Sequence, residues 1–131
     1  VKIERAVLRE VPLTLARPFR SSASLVTERR VLLLTLHADG LEGWSECVAL
    51  DGPTYTSETP DTAWELLTST LLPSAVGREV DASAPSSLLT ASADTHAHPM
   101  ARATVEMASW DLAARMTGVS LSEMLGGTRA S

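Results

Sequence analysis

Asp39-Gly40 sits between two runs of strand-forming residues, and it constrains the fold more than any other feature of the chain. Arg30 to Ala38 carries Val31-Leu32-Leu33-Leu34, a run suited to a strand covered on both faces. Leu41 to Ala49 follows the dipeptide. Glycine accepts positive φ without a Cβ clash, so Asp39-Gly40 predicts a tight hairpin joining two antiparallel strands. Upstream, Ile3 to Leu15 also favours strand. Arg5, Val7, Arg9, Val11 and Leu13 share one parity, while Ala6 and Leu8 share the other with Glu4 and Glu10. Apolar residues fall on both parities, so both faces should be partly covered. Pro12 argues against an uninterrupted central strand. Arg17-Pro18-Phe19-Arg20-Ser21-Ser22-Ala23-Ser24 predicts an exposed loop. The first part of the chain therefore reads as a three-stranded antiparallel meander.

The period changes after Tyr55. Thr59 can cap a helix whose first turn accepts Pro60. Ala63, Leu66, Leu67, Thr70 and Leu71 recur at helical spacing, and Pro73 and Gly77 should end that element. A weaker helix is expected between Pro85 and Ala93. The clearest helix spans Met100 to Thr117. Ala101, Val105, Ala108, Leu112 and Met116 form one stripe, and Ala103, Met107, Trp110 and Ala114 form a second. Two stripes mean more than one neighbour. The bland account is a helix central to a small α+β core; the sharper one is that one edge meets a further domain. Gly118 can terminate it, and Leu121 to Leu125 starts another turn closed by Gly126-Gly127.

With 131 residues, the chain is too short for a complete eight-stranded β/α barrel of about 250 residues. Apolar residues make up 44% but aromatics only 4%, so the core must be mostly aliphatic. The formal charge of -5, with no basic block, disfavours a nucleic acid partner. Cys47 is the single cysteine, which excludes an internal disulfide framework and a cysteine-rich zinc site. No apolar run approaches the roughly 18 residues of a membrane span, and VKIERAV does not resemble a signal peptide, so a cytoplasmic location is the default expectation.

Chemistry-bearing residues are sparse. His96 and His98, with Asp94 nearby, do not supply three or four convergent ligands, and a surface loop is the preferred reading. His37 has no base near it in sequence. Ser45-Glu46-Cys47 lacks a nucleophile elbow and a histidine partner. No phosphate-binding or zinc-protease pattern is present. The segments Phe19 to Ser24 and Leu50 to Ser57 differ, since each presents apolar and hydroxyl groups together. They could shape a small-molecule pocket. They could equally be ordinary loops with Phe19 and Tyr55 tucked into the local core.

Four motifs in order carry a resemblance. Gly43-Trp44-Ser45-Glu46-Cys47 is similar to the G-W/Y-G-E pattern of enolase-superfamily enzymes. Pro53-Thr54-Tyr55-Thr56-Ser57-Glu58 resembles the next loop in the N-acylamino acid racemase and o-succinylbenzoate synthase group. Pro99 to Leu112 resembles the signature helix of that group, and Leu125-Gly126-Gly127 the turn ending its N-terminal portion. The resemblance implies an α+β capping domain over residues 1–127, without its β/α barrel, with 128–131 opening the connection to it. It implies that Phe19, Arg20, Ser21, Leu50 and Tyr55 shape the substrate pocket. Ser45 departs from the commoner glycine, which could mark local packing.

The chemistry implied is proton abstraction beside a carboxylate, with a divalent metal, usually magnesium, and lysines on the barrel. Because those groups belong to the barrel, the resemblance places no catalytic residue and no metal ligand in this chain. The expected partners are the C-terminal barrel, a small carboxylate substrate and a homo-oligomeric copy. The expected parent activities are N-acylamino acid racemase, o-succinylbenzoate synthase or both, with dipeptide epimerase or muconate cycloisomerase as alternatives. A free-standing small-molecule binding or protein interaction module is the competing reading.

Overall fold

The computed structural model describes residues 1–52, 56–89 and 98–127. Three strands, β1 (Arg5–Arg20), β2 (Leu25–Ala38) and β3 (Leu41–Cys47), form an antiparallel sheet in that spatial order. The turn between β2 and β3 is the one expected: Asp39 and Gly40 have φ of 50° and 74°, the positive values that a tight primed turn requires. The alternation along β2 buries Leu32, Leu34, Leu36 and Ala38 completely. Val31 and Thr35 are also buried, so this central strand is covered on both faces.

The first strand is longer than the sequence suggests. It passes Pro12, which stands opposite Arg30, and continues to Arg20. Pro12 is tolerated because β1 is an edge strand, where a missing N–H need not break a ladder on both sides. The register shifts between Thr14 and Phe19, then Phe19 pairs with Val26 and Arg20 with Leu25. The expected loop from Arg17 to Ser24 thus shrinks to a turn at Ser21–Ser24. There the Ser21 amide donates to the Ser24 carbonyl at 2.8 Å, and the Ser24 amide donates to Ser21 Oγ at 3.1 Å. Local composition favours a loop, but the partner strand supplies the hydrogen bonds.

Helix α1 (Pro60–Leu66) begins as expected, with Thr59 and Thr62 exchanging capping bonds and Pro60 in the first turn. Ala63, Leu67 and Leu71 face the core, but Thr70 is exposed. The chain does not stop at Pro73. A π-helical turn, Leu67–Leu71, precedes a short α2 (Leu72–Ala75), and the Leu72 amide donates to the Leu67 carbonyl. The widened turn carries the chain past a proline that has no N–H to give. Gly77, at φ 87°, then ends the run. Of the expected helix at Pro85–Ala93, a 3-10 turn over Pro85–Leu89 is present, with Leu88 and Leu89 buried; residues 90–93 lie outside the described residues.

Helix α3 (Pro99–Thr117) packs its first stripe inward: Ala101, Val105, Ala108 and Leu112 are wholly buried. The second stripe is split. Ala114 is buried, Ala103 and Trp110 are half-buried, and Met107 is exposed. Gly118 closes the helix at φ 70°, and Ser120 and Glu123 form a capping box on α4 (Leu121–Met124). Asp111 and Arg115, four residues apart on the helix, make an ion pair at 3.0 Å. Thr104 and Ser109, polar residues between the stripes, are buried and bond the Met100 and Pro85 carbonyls.

Helix α3 lies on β3 with almost no gap. A Cβ at Gly43 would stand 2.6 Å from Leu112 Cβ and closer still to the Ala108 carbonyl oxygen. Ser45 also answers to this packing: its hydroxyl donates to the Thr104 carbonyl at 2.5 Å. The Trp44 amide, on the outer edge of β3, donates to the Asp111 carboxylate at 2.8 Å. Gly43→Ala should therefore destabilise the chain by about 2–3 kcal/mol, near the upper range for overpacking. Chemical denaturation checks this, and a loss under about 0.5 kcal/mol, the range of an ordinary surface substitution, would mean that the helix can back away freely.

Candidate functional site

Beyond the last rung of the β2–β3 ladder, Leu32 with Cys47, the chain runs on through Val48 to Gly52 beside the far end of the β1–β2 hairpin. A cleft of about 370 Å³ opens between the two segments. Leu15, Arg17, Phe19, Ser21, Ser24, Val26, Arg29 and Leu50 line it. Three residues singled out in the sequence, Phe19, Ser21 and Leu50, thus meet in one place. Arg20 does not line the cleft; it is exposed and paired in the ladder with Leu25. Strand alternation turns it away from its neighbour Phe19. Tyr55 and its neighbours Pro53 and Thr54 lie outside the described residues. Phe19 is 63% exposed, so it is not tucked into the local core. The lining is aliphatic and aromatic, with two guanidinium groups and two hydroxyls at hand, a composition suited to a small organic anion.

Two arginines hold the Val48–Asp51 segment. Arg29 Nη2 donates to the Val48 carbonyl at 3.2 Å. Arg30 binds three carboxylates: Glu10 of β1 at 2.6 Å, Asp61 of α1 at 2.7 Å and Asp51 at 3.1 Å. The planar fork of a guanidinium makes such a junction. Hydrogen bonding first, and then charge, from Arg30 holds the Asp61 carboxyl below its ordinary range. The same contacts raise the Arg30 pKa.

The far end of this segment is anchored differently. Glu58 is 1% exposed, and its carboxylate accepts from the Met100 and Ala101 amides at 2.8 and 3.0 Å. These are orphan donors at the start of α3, where His98 makes no side-chain cap. A negative charge also suits the positive end of the helix. Sequence reasoning missed both Arg30 and Glu58. Glu58 has no local signal, because its partners lie more than forty residues away. Arg29-Arg30, an arginine pair at the foot of an apolar strand facing an acidic loop, was the one available hint.

The other candidates have ordinary roles. Cys47 is buried and unpaired, and the Ser45 hydroxyl is committed to α3. His37 Nδ1 lies 3.4 Å from both Arg5 and Glu42. Asp94 and His96 are outside the described residues. Among the described residues no group of three or more His, Cys, Asp or Glu side chains converges on a metal position. No described helix is long and apolar enough to cross a membrane.

Fold, cleft and anchoring together agree with a domain that presents loops to something else. Residues 3–126 match the mandelate racemase / muconate lactonizing enzyme N-terminal domain, and the chain belongs to that family. It is an N-terminal capping domain of the enolase superfamily. It is 37% identical over 130 residues to the o-succinylbenzoate synthase of Bacillus subtilis and 41% over 129 to the N-succinylamino acid racemase of Thermus thermophilus. Each alignment takes in 98% of this chain but only 34% of the relative, so the chain spans about a third of their length. Among solved structures, the L-Ala-D/L-Glu epimerase of Bacillus subtilis superposes with a TM-score of 0.83 at 26% identity. That match covers 98% of this chain and 34% of the epimerase. An enolase-superfamily member from Listeria innocua gives 0.85 at 29%, with the same coverage.

Two outcomes follow. Glu58→Ala should cost about 1–3 kcal/mol, because it leaves buried amides without an acceptor; unfolding in urea reads it, and a neutral result would show that water replaces the carboxylate. Asp61, with its folded pKa depressed, adds stability above its unfolded pKa that is lost as pH falls through the folded value. Asp61→Asn should lower Tm at neutral pH and flatten its decline below about pH 4. Thermal melts across pH check this, and an unchanged acid slope would mean that the pair does not form in solution.

Proposed function

We propose that this chain is the specificity half of a metal-dependent enzyme, closing over a C-terminal β/α barrel and shaping the pocket for a small carboxylate. The parent activity is N-acylamino acid racemisation, o-succinylbenzoate synthesis or both. The observation that carries the reading is the meeting of Phe19, Ser21 and Leu50 across one cleft. Phe19 and Leu50 would supply apolar contact to the substrate's side chain or acyl group, with Tyr55 as a further wall. Arg17 and Arg29 would favour a negatively charged ligand. Residues 1–127 form the cap in this reading, and 128–131 lead to the barrel.

Among the described residues no group of three or more His, Cys, Asp or Glu side chains could hold a divalent cation such as magnesium; in this reading the barrel supplies metal, acid and base, and the cap alone should not turn over substrate. The relatives are about three times as long as this chain, which supports the barrel as its partner. A groove of about 430 Å³ between β3, α3 and α4, lined by Trp44, Met107, Trp110, Leu121 and Leu125 among others, is apolar surface that such a partner could cover. The proposed setting is the cytoplasm, where the single unpaired Cys47 would stay reduced.

The test compares kcat/KM for N-succinyl amino acids of small and large side chain in the full-length enzyme. Phe19→Ala and Leu50→Ala should change the ratio by about tenfold, the order of a methylene or two in a pocket, with Tm nearly unchanged for the exposed Phe19. Equal losses on every substrate, matched by lost thermal stability, would replace specificity with core packing. A chain that natively ends here and binds a partner by itself would favour the interaction-module reading.

A further inference from the structure

The geometry points to Arg29 and Arg30 as a two-sided clamp that sets where Leu50 stands, and so to both as positioning residues for specificity; this rests on the capping reading above. Val48 to Asp51 lies past the last rung of the sheet, so no ladder fixes it. Adjacent residues on a strand project to opposite faces. From β2, Arg29 reaches the Val48 carbonyl and Arg30 the Asp51 carboxylate. Those contacts bracket Ala49 and Leu50. Ala49 is 2% exposed and turned into the core, which leaves Leu50 to face Phe19 across the cleft.

Arg30 is held before it meets Asp51. Its Nε and Nη2 both donate to Glu10, at 2.9 and 2.6 Å, and its Nη1 and Nη2 straddle the Asp61 carboxylate at 3.3 and 2.7 Å. Asp51 therefore docks on a guanidinium that Glu10, bound at both Nε and Nη2, already orients, with Asp61 as a further exposed anion on the same group. One cation stands among three anions, so its loss would set Glu10, Asp51 and Asp61 against one another. Of the three, Asp51 belongs to the segment with no sheet or helix to restrain it, and its displacement would carry Leu50 with it.

Asp51→Asn and Asp61→Asn in the full-length enzyme separate positioning from plain stability. Each removes one exposed carboxylate from the same guanidinium, but only the first lies beside Leu50. Steady-state kinetics would compare N-succinylalanine with N-succinylphenylalanine, and hydrogen exchange would follow residues 48–52. Asp51→Asn is expected to shift the KM ratio about two- to fivefold, the effect of an exposed ion pair, with kcat held within about twofold. It should also speed exchange at 48–52. Asp61→Asn is expected to lower Tm comparably while leaving the ratio and the exchange unchanged. Equal effects of both variants on the ratio would reduce the cluster to bulk stability and overturn the clamp. A ratio that moves in Phe19→Ala but not in Asp51→Asn would overturn the clamp alone. A ratio that moves in neither would overturn the capping reading and the clamp together.

Discussion

Helix α3 rests on β3 at a distance that only glycine permits, and the rest of the molecule is arranged around that contact. Gly43 lets the helix backbone approach. The Ser45 hydroxyl and the Trp44 amide then find partners on α3 rather than on a fourth strand. The helix thus closes one side of the sheet. Its N-terminus in turn fixes Glu58, so the segment after β3 is held at its start by the sheet and at its end by the helix. Between these anchors, Arg29 and Arg30 hold Val48 and Asp51 beside the cleft.

Chain economy is visible in where the few aromatic side chains stand. Phe19, Trp44 and Trp64 are each more than a third exposed, and Trp110 is half-buried with its ring N–H on Ser86. Among the described residues the fully buried positions belong mostly to leucine, isoleucine, valine and alanine, with Pro60, Thr35, Thr104, Ser109 and Glu58 among them. The described aromatic side chains thus stand at or near surfaces, including the cleft wall at Phe19. The interior gains its density from aliphatic interdigitation between β2, α3 and the π-helical turn.

Local signals were readable from the amino acids, and remote ones were not. Asp39-Gly40, Thr59-Pro60 and Gly118 each announce a backbone event within a few residues, and each occurs where expected. The aliphatic stripe of α3 is likewise a property of one segment. The continuation of β1 beyond Leu15 and through Arg17–Arg20 was missed because it depends on β2 lying alongside, which no local preference reveals. The Glu58 cap and the Arg30 junction join residues from about twenty to more than forty positions apart. Resemblance found the family and brought Phe19, Ser21 and Leu50 to attention, yet it also included Arg20, which strand alternation turns away from the cleft.

The length of β1 has a consequence for life in a crowded solution. Sixteen residues of edge strand could template pairing with another chain. Pro12 and Pro18 interrupt that edge, each withholding a donor. Arg5, Arg9, Arg17 and Arg20 outnumber Glu10, the one acidic residue of the strand. A second copy approaching side by side would meet gaps in its hydrogen bonding and an excess of positive charge. The strand that extends outward to carry Phe19 is, by the same residues, a poor seed for fibrils.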